Sequence, residues 1–283
     1  MHKAAAESTT PAARSSLWAF LRPRRATLPV YHLVLLGGLL ALWKLLTSTG
    51  ILPPFFFGDP VIVFGTIVDW FVSGEIYRHL WITLVETAVA FVVGSGLGLV
   101  TGLWLALNPT ASALAAPYIN AFNSMPRVIL APIFAVWFGL GMLSKIALGV
   151  TLVFFVVFFN VYQGVREVSP VVLANSRMLG ATKKQLLRTV YLPSATSWVF
   201  SSLHIAVGMA FVGAVIGEYM GSEAGVGYLI LQAEGTFNIH AVFAGVIVLT
   251  FFAIGLDAVV GLVERRLLFW QPKEASTVSE GQL

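Results

Sequence analysis

The chain has 283 residues, of which 58% are hydrophobic and 11% charged, and its mean hydropathy is +0.86. Soluble domains are roughly half apolar, so this composition excludes a water-soluble globule and names the bilayer as the main solvent. The absence of cysteine excludes disulfide and thiolate chemistry.

The first 26 residues carry Lys3, Arg14, Arg22, Arg24 and Arg25 ahead of any apolar run. No small-residue cleavage site follows an apolar core of signal-peptide length, so residues 1–29 read as a cytoplasmic tail leading into an uncleaved first span. A crossing helix needs about 20 mainly apolar residues. Six segments meet that length: about Val30 to Thr49, Trp81 to Leu107, Ala113 to Phe138, Leu143 to Gly164, Trp198 to Met220 and His240 to Val263. Together they predict an all-α integral membrane protein with one domain over 30–264 and a second cytoplasmic tail over 265–283.

Basic residues are retained in cytoplasmic loops, and their placement orients the spans. With the N-terminus inside, thirteen of the seventeen Lys and Arg fall on the inner side. Only Lys44, Arg78, Arg127 and Lys145 lie elsewhere. Topology thus accounts for the net charge of +4, and the clustered basic surface that nucleic acid requires is not indicated. Lys44 interrupts the first span and is expected to snorkel from its outer end.

Between spans one and two, "ILPPFFFGDPVIVFGTIVDWFVSGEIYRHL" mixes aromatic, Pro and acidic residues and predicts a loop with a short interfacial helix. In span two, Gly94, Gly98 and Gly102 recur every four residues on one face, which suits close helix approach inside the bundle or at a subunit interface. Span three holds Pro117, Pro126 and Pro132, each without a backbone donor, and predicts a kinked helix near a gate.

Ionisable residues within spans are costly and mark candidate sites. Arg127, beside Pro126, could attract an anion on the translocation path or pair with an acidic neighbour or subunit. Glu86 and Glu218 fall near the outer ends of spans two and five, where a wet or packed rim is expected. Glu218 is also carried as a possible gate residue. Asp257 is expected to bridge to basic cytoplasmic residues. Between spans five and six, "GSEAGVGYLILQAEGTFN" predicts a short helix or re-entrant turn over the outer face.

The segment "VREVSPVVLANSRMLGATKKQLLRTVYLPSA" between spans four and five predicts two short helices. Ser169 can cap a first helix opening at Pro170, and Gly180 can end it. Thr182 and Gln185 fit a capping box opening a second, which is expected to stop before Leu192 and Pro193. Leu179, Leu186, Leu187 and Val190 supply an apolar side, and Arg177, Lys183, Lys184 and Arg188 a wet one. Such a shaped knob suits the grip of another protein.

Catalytic and metal signatures such as H-E-x-x-H, G-x-S-x-G and the phosphate loop are absent, and the five His are scattered. A membrane enzyme is therefore disfavoured, and neither a catalytic residue nor a metal site is assigned. An exporter or an ion-gradient-driven carrier is the other alternative, and the carrier would need ionisable residues deep in several spans.

These residues resemble the permease subunits of bacterial ATP-binding-cassette (ABC) importers, whose cytoplasmic EAA motif reads E-A-A-x3-G-x9-I-x-L-P. Gly180 and the following Ala181 match its turn, Val190 stands at the Ile position, and Leu192 and Pro193 close the pattern in full register. Ala174, Asn175 and Ser176 replace E-A-A. The resemblance runs from about Ala41 to Pro272 and includes "SMPRVILAPIFAVWFGLG", "FFNVYQGVREV", "GEYMGSEAGVGYLI" and "VERRLLFW". These are similar to the branch importing nitrate, sulfonates, taurine and thiamine pyrimidine precursors. Thr83 and Glu86 depart from the branch pattern S-L-x-R, and Gly58, Asp59 and Pro60 from L-P-S-P.

The resemblance implies the type I importer permease (MetI-like) fold, with a coupling helix between helices 4 and 5 that seats in a partner ATPase. It further implies an external substrate-binding protein, periplasmic or lipid-anchored, and a second permease copy, expected as a homodimer in the inner membrane. ATP and Mg would be bound by the ATPase, with no cofactor in this chain.

Overall fold

The computed structural model of the protein describes residues 28–267. The basic residues of the expected N-terminal tail and Lys273 of the C-terminal one lie outside them. The described residues are helical, with no strand among them. They divide into a compact unit ending at Pro60 and a larger one from Val61 onward.

The first unit holds α1 (Leu28–Ser48) and the short α2 (Pro54–Phe57). Lys44 does not simply snorkel: its ammonium pairs with Asp59 Oδ2 at 2.5 Å. Trp43 Nε1 also donates to the Phe57 carbonyl at 3.2 Å, so the α2 turn folds back on the end of α1.

The larger unit begins within α3 (Pro60–Ser73), a 14-residue helix where a loop with a short helix was expected. Together, Pro54–Ser73 form 20 residues with mean hydropathy 1.6, enough in length and composition for a crossing. Its polar residues, Thr66, Asp69 and Ser73, are few and fall at i, i+3 and i+7 on one face, the pattern of a helix rather than a loop. α4 (Glu75–Leu107) starts a turn and a half before the expected Trp81, after Gly74 in the left-handed region at φ 81°.

Next come α5 (Pro109–Ser124), a 3-10 turn at Arg127–Ile129 and α6 (Leu130–Phe138). This segment is not one kinked helix. It breaks at Met125, held extended at φ −74°, ψ 132° by the Pro126 ring that follows, and the two halves meet at 77°. α7 (Met142–Arg166), α8 (Pro170–Met178) and α9 (Lys183–Leu186) follow. A π-helical turn at Leu187–Tyr191 then leads into α10 (Leu192–Met220), before α11 (Val226–Gly235) and α12 (Ile239–Leu267). Among the described residues six helices are long and apolar enough to cross a membrane, or seven with the bent pair counted as one.

α4 and α7 form the central pair, and α10 lies along both. The stripe on α4 packs inside this chain: a Cβ at Gly94 would strike the Val153 side chain at 2.7 Å, and one at Gly98 the Phe154 carbonyl at 2.8 Å. A Cβ at Gly102 would meet the Phe158 carbonyl at 2.8 Å, so the two helices run parallel in steps of one turn. α10 returns antiparallel, its Gly213 so close to α7 that a Cβ there would strike the Gly149 Cα at 2.5 Å, while one at Gly149 would strike Ala90 of α4 at 2.6 Å. Ala90, Val153, Val157, Val161, Ala206 and Ala210 fill the seam. Consequently the starts of α4 and α7 and the end of α10 share one end of the bundle, and α8 and α9 belong to the other.

Candidate functional site

The α8–α9 element is built by local backbone chemistry. Gly180 sits at φ 83°, a conformation that glycine adopts without Cβ strain. Its N–H donates to the Arg177 carbonyl and that of Ala181 to the Ser176 carbonyl, both at 3.0 Å, the two bonds of a Schellman ending. The capping box is formed: the Gln185 N–H donates to Thr182 Oγ1 at 3.4 Å, and the Thr182 N–H to Gln185 Oε1 at 2.8 Å. Ser169 does not cap through its hydroxyl; its carbonyl accepts from the Leu173 N–H at 3.2 Å instead.

Two expectations for this element are corrected. The second helix does not stop before Leu192 and Pro193, because the π turn carries it directly into α10. Pro193 lacks an N–H, and its ring would crowd the carbonyl of Thr189 in an α-helix. Widening that turn, with the Leu192 N–H reaching Leu187, relieves the clash. Leu186 is buried and Val190 half-buried, but Leu179 is 88% exposed and Met178 79%, so Leu179 belongs to an apolar tip. Val171 and Val172 extend that exposed apolar surface, while Ala174 and Asn175 are exposed and the Ser176 hydroxyl bonds back to Val172.

At the break between α5 and α6, Arg127 finds no acidic partner among the described residues. Its Nη2 donates to Asn123 Oδ1 at 2.5 Å and its guanidinium lies 4.4 Å from the Phe155 ring centre. The Nε is buried without a hydrogen-bond partner, and Pro126 is the residue that fixes the break. Asp257 pairs with His204 Nε2 at 3.0 Å on α10 rather than with the expected basic loop residues.

The end of the bundle opposite α8 holds a buried polar cluster that local sequence patterns did not bring together. Glu86 on α4, Lys145 on α7 and Glu218 on α10 are each 1% exposed or less. Glu86 and Glu218 are thus packed rather than wet. Glu218 accepts from Thr83 Oγ1 at 2.6 Å and from the Gly227 N–H at the start of α11 at 2.7 Å. The Val226 N–H donates to Thr83 Oγ1 at 3.1 Å, and His79 Nδ1 meets the Gly225 backbone at about 3 Å. Lys145 donates to the carbonyls of Leu140 and Gly141. Gly225, at φ 113°, is placed so that a side chain there would land on the Glu218 carboxylate. The "GVGY" that opens the expected short helix is therefore also a cradle for an acid nine residues before Gly227. Among the described residues, no group of three or more His, Asp and Glu is arranged to hold a metal ion.

An all-helical bundle of crossing helices, with a capped double helix at one end and a broken span beside its core, defines a membrane transport subunit. Residues 94–269 match the binding-protein-dependent transport system inner membrane component family, and the chain belongs to it. It is an ABC transporter permease subunit of the inner membrane. SsuC of Bacillus subtilis, a permease protein named for aliphatic sulfonates transport, is 31% identical over 84% of this chain and 87% of its own. The formylaminopyrimidine transport permease protein ThiX of Halalkalibacterium halodurans is 29% identical over 83% of this chain and 94% of its own. The taurine transport system permease protein TauC of Escherichia coli is 26% identical over 89% and 93%. Among solved structures, an inward-facing form of the MetNI methionine ABC transporter aligns with TM-score 0.53 and 23% identity, over 66% of this chain and 95% of that one. That likeness is one of fold.

Proposed function

We propose that the chain passes a small solute inward from an external binding protein by alternating access, driven by ATP hydrolysis in a separate subunit. The α8–α9 element is its coupling helix, and the observation that carries this reading is the exposed apolar tip at Met178 and Leu179. Those residues stand on a defined turn flanked by Arg177, Lys183 and Lys184, which the positive-inside rule assigns to the cytoplasm. An apolar surface in that aqueous setting suits burial in a partner groove, and Gly180, Ala181, Val190, Leu192 and Pro193 stand in the motif's register to hold it. Closure of an ATPase pair would then draw two such knobs together across a permease homodimer. ATP can shift the bundle only by binding one of its states more tightly.

The solute is of the sulfonate, taurine or thiamine-precursor kind, as the names of the relatives suggest, and nitrate is carried by the sequence resemblance alone. Arg127 favours an anion, since its half-buried guanidinium is unopposed by a carboxylate at the helix break. Both termini are cytoplasmic, as the distribution of basic residues supports; this orientation takes an even number of crossings, with the bent pair crossing and α3 lying at the membrane surface.

Copurification tests the coupling surface: Met178→Asp should reduce recovery of the ATPase with the permease at least tenfold while the isolated permease still inserts. Undiminished recovery would remove the assignment. Ion-coupled uptake by the permease without any ATPase would favour the carrier reading instead.

A further inference from the structure

The buried cluster at the end away from the coupling element contains two acids and one base, and its charges do not balance. Glu218 has both oxygens engaged, by Thr83 and by the Gly227 N–H. Glu86 is near enough to Glu218 for the two carboxyl groups to interact electrostatically, yet its Oε2 is buried with no partner. The Lys145 ammonium is turned onto two backbone carbonyls. His79 from α4 is occupied by Gly225, and Glu223, the charged residue of the adjoining turn, is exposed and adds a further negative charge near Lys145. An anionic oxygen sealed from water without a donor is among the most costly arrangements a protein interior can hold.

We propose that Glu86 and Glu218 together bind one additional proton, held at Oε2 of Glu86, the single carboxylate oxygen of the cluster without a partner. The bound charge brings the cluster to neutrality and lets two carboxyl groups occupy neighbouring positions on α4 and α10. Through the Glu218 bonds to Thr83 and Gly227, it also fixes the α10–α11 turn on the bundle. The site holds whichever solute is carried, so its test is independent of the transport reading.

The test uses the full-length protein in its native assembly in lipid nanodiscs. Infrared spectra in alkali-free buffer should show a carboxylic-acid C=O band that shifts in heavy water and is lost in Glu86→Gln. Glu86→Asp, which retracts the carboxyl by one methylene, should displace that band. Wild-type protein without the band overturns the proposal, and so does a band unmoved in the folded variants. An unfolding temperature raised by sodium or potassium over a bulky organic cation at equal ionic strength, with no such band, would assign the charge to an alkali ion and overturn the proton.

Discussion

Gly180 and Gly225 are single atoms short of failure, for different reasons. At Gly180 the constraint is backbone conformation, so Gly180→Leu should cost about 1–2 kcal/mol in the left-handed region and distort the Schellman ending. The readouts are assembly with the ATPase, ATPase stimulation and uptake, and all three should fall; unchanged values would sink the coupling role. At Gly225 the constraint is space, because any side chain displaces the Glu218 carboxylate. Gly225→Val should lower the unfolding temperature and leave the Gly227 N–H without its acceptor, a loss of about 1–3 kcal/mol. A stable Gly225→Val protein would show that the cradle is dispensable. The two positions also differ in how they can be read from sequence. The Gly180 turn is legible because the residues that close it, Ser176, Arg177 and Ala181, lie within four residues. The Glu86–Lys145–Glu218 cluster is not, because its members are brought together only by the parallel run of α4 beside α7 and the antiparallel return of α10.

At the level of elements, hydropathy located α1, α4, α7, α10 and α12, since a bilayer demands long apolar runs with internally satisfied backbones. It failed where two helices share one apolar stretch. The Ala113–Phe138 segment reads as one span by composition, yet Pro126 forces Met125 out of the α region and the chain turns by 77°. Pro126→Ala should allow a straighter helix and move Arg127 away from Phe155. Uptake should fall several-fold while the amount of inserted protein is kept, and normal uptake would argue that the break is not used. Arg127→Gln isolates the charge from the break: uptake of every anionic substrate should drop, and an unaltered profile would remove the support for an anion. The π turn at Leu187–Tyr191 was missed for a related reason. Leu192 and Pro193 look like a stop signal, but a proline near the start of a long helix can be accommodated by widening the turn before it.

For the molecule as a whole, the orientation proposed from the basic residues has a clean test because the chain contains no cysteine. Asn175→Cys should react with a membrane-impermeant thiol reagent only from the cytoplasmic side, and Glu223→Cys only from outside. The opposite pattern would invert the topology, and labelling from a single side at both positions would refute the assignment of the two bundle ends.

α10 runs 29 residues, about 44 Å at the helical rise, without a break between Leu192 and Glu218. One of its ends is fused to the proposed ATPase-facing knob and the other is bolted to the buried cluster. A displacement imposed on Lys183 would therefore pass through one irregular joint, the π turn, before it enters an unbroken shaft ending at Glu218. Under the proposed coupling the permease has the form of a transmission with a single joint at the input. Regularising that joint should alter how promptly the outer end follows ATP, even where the contacts at both ends are intact.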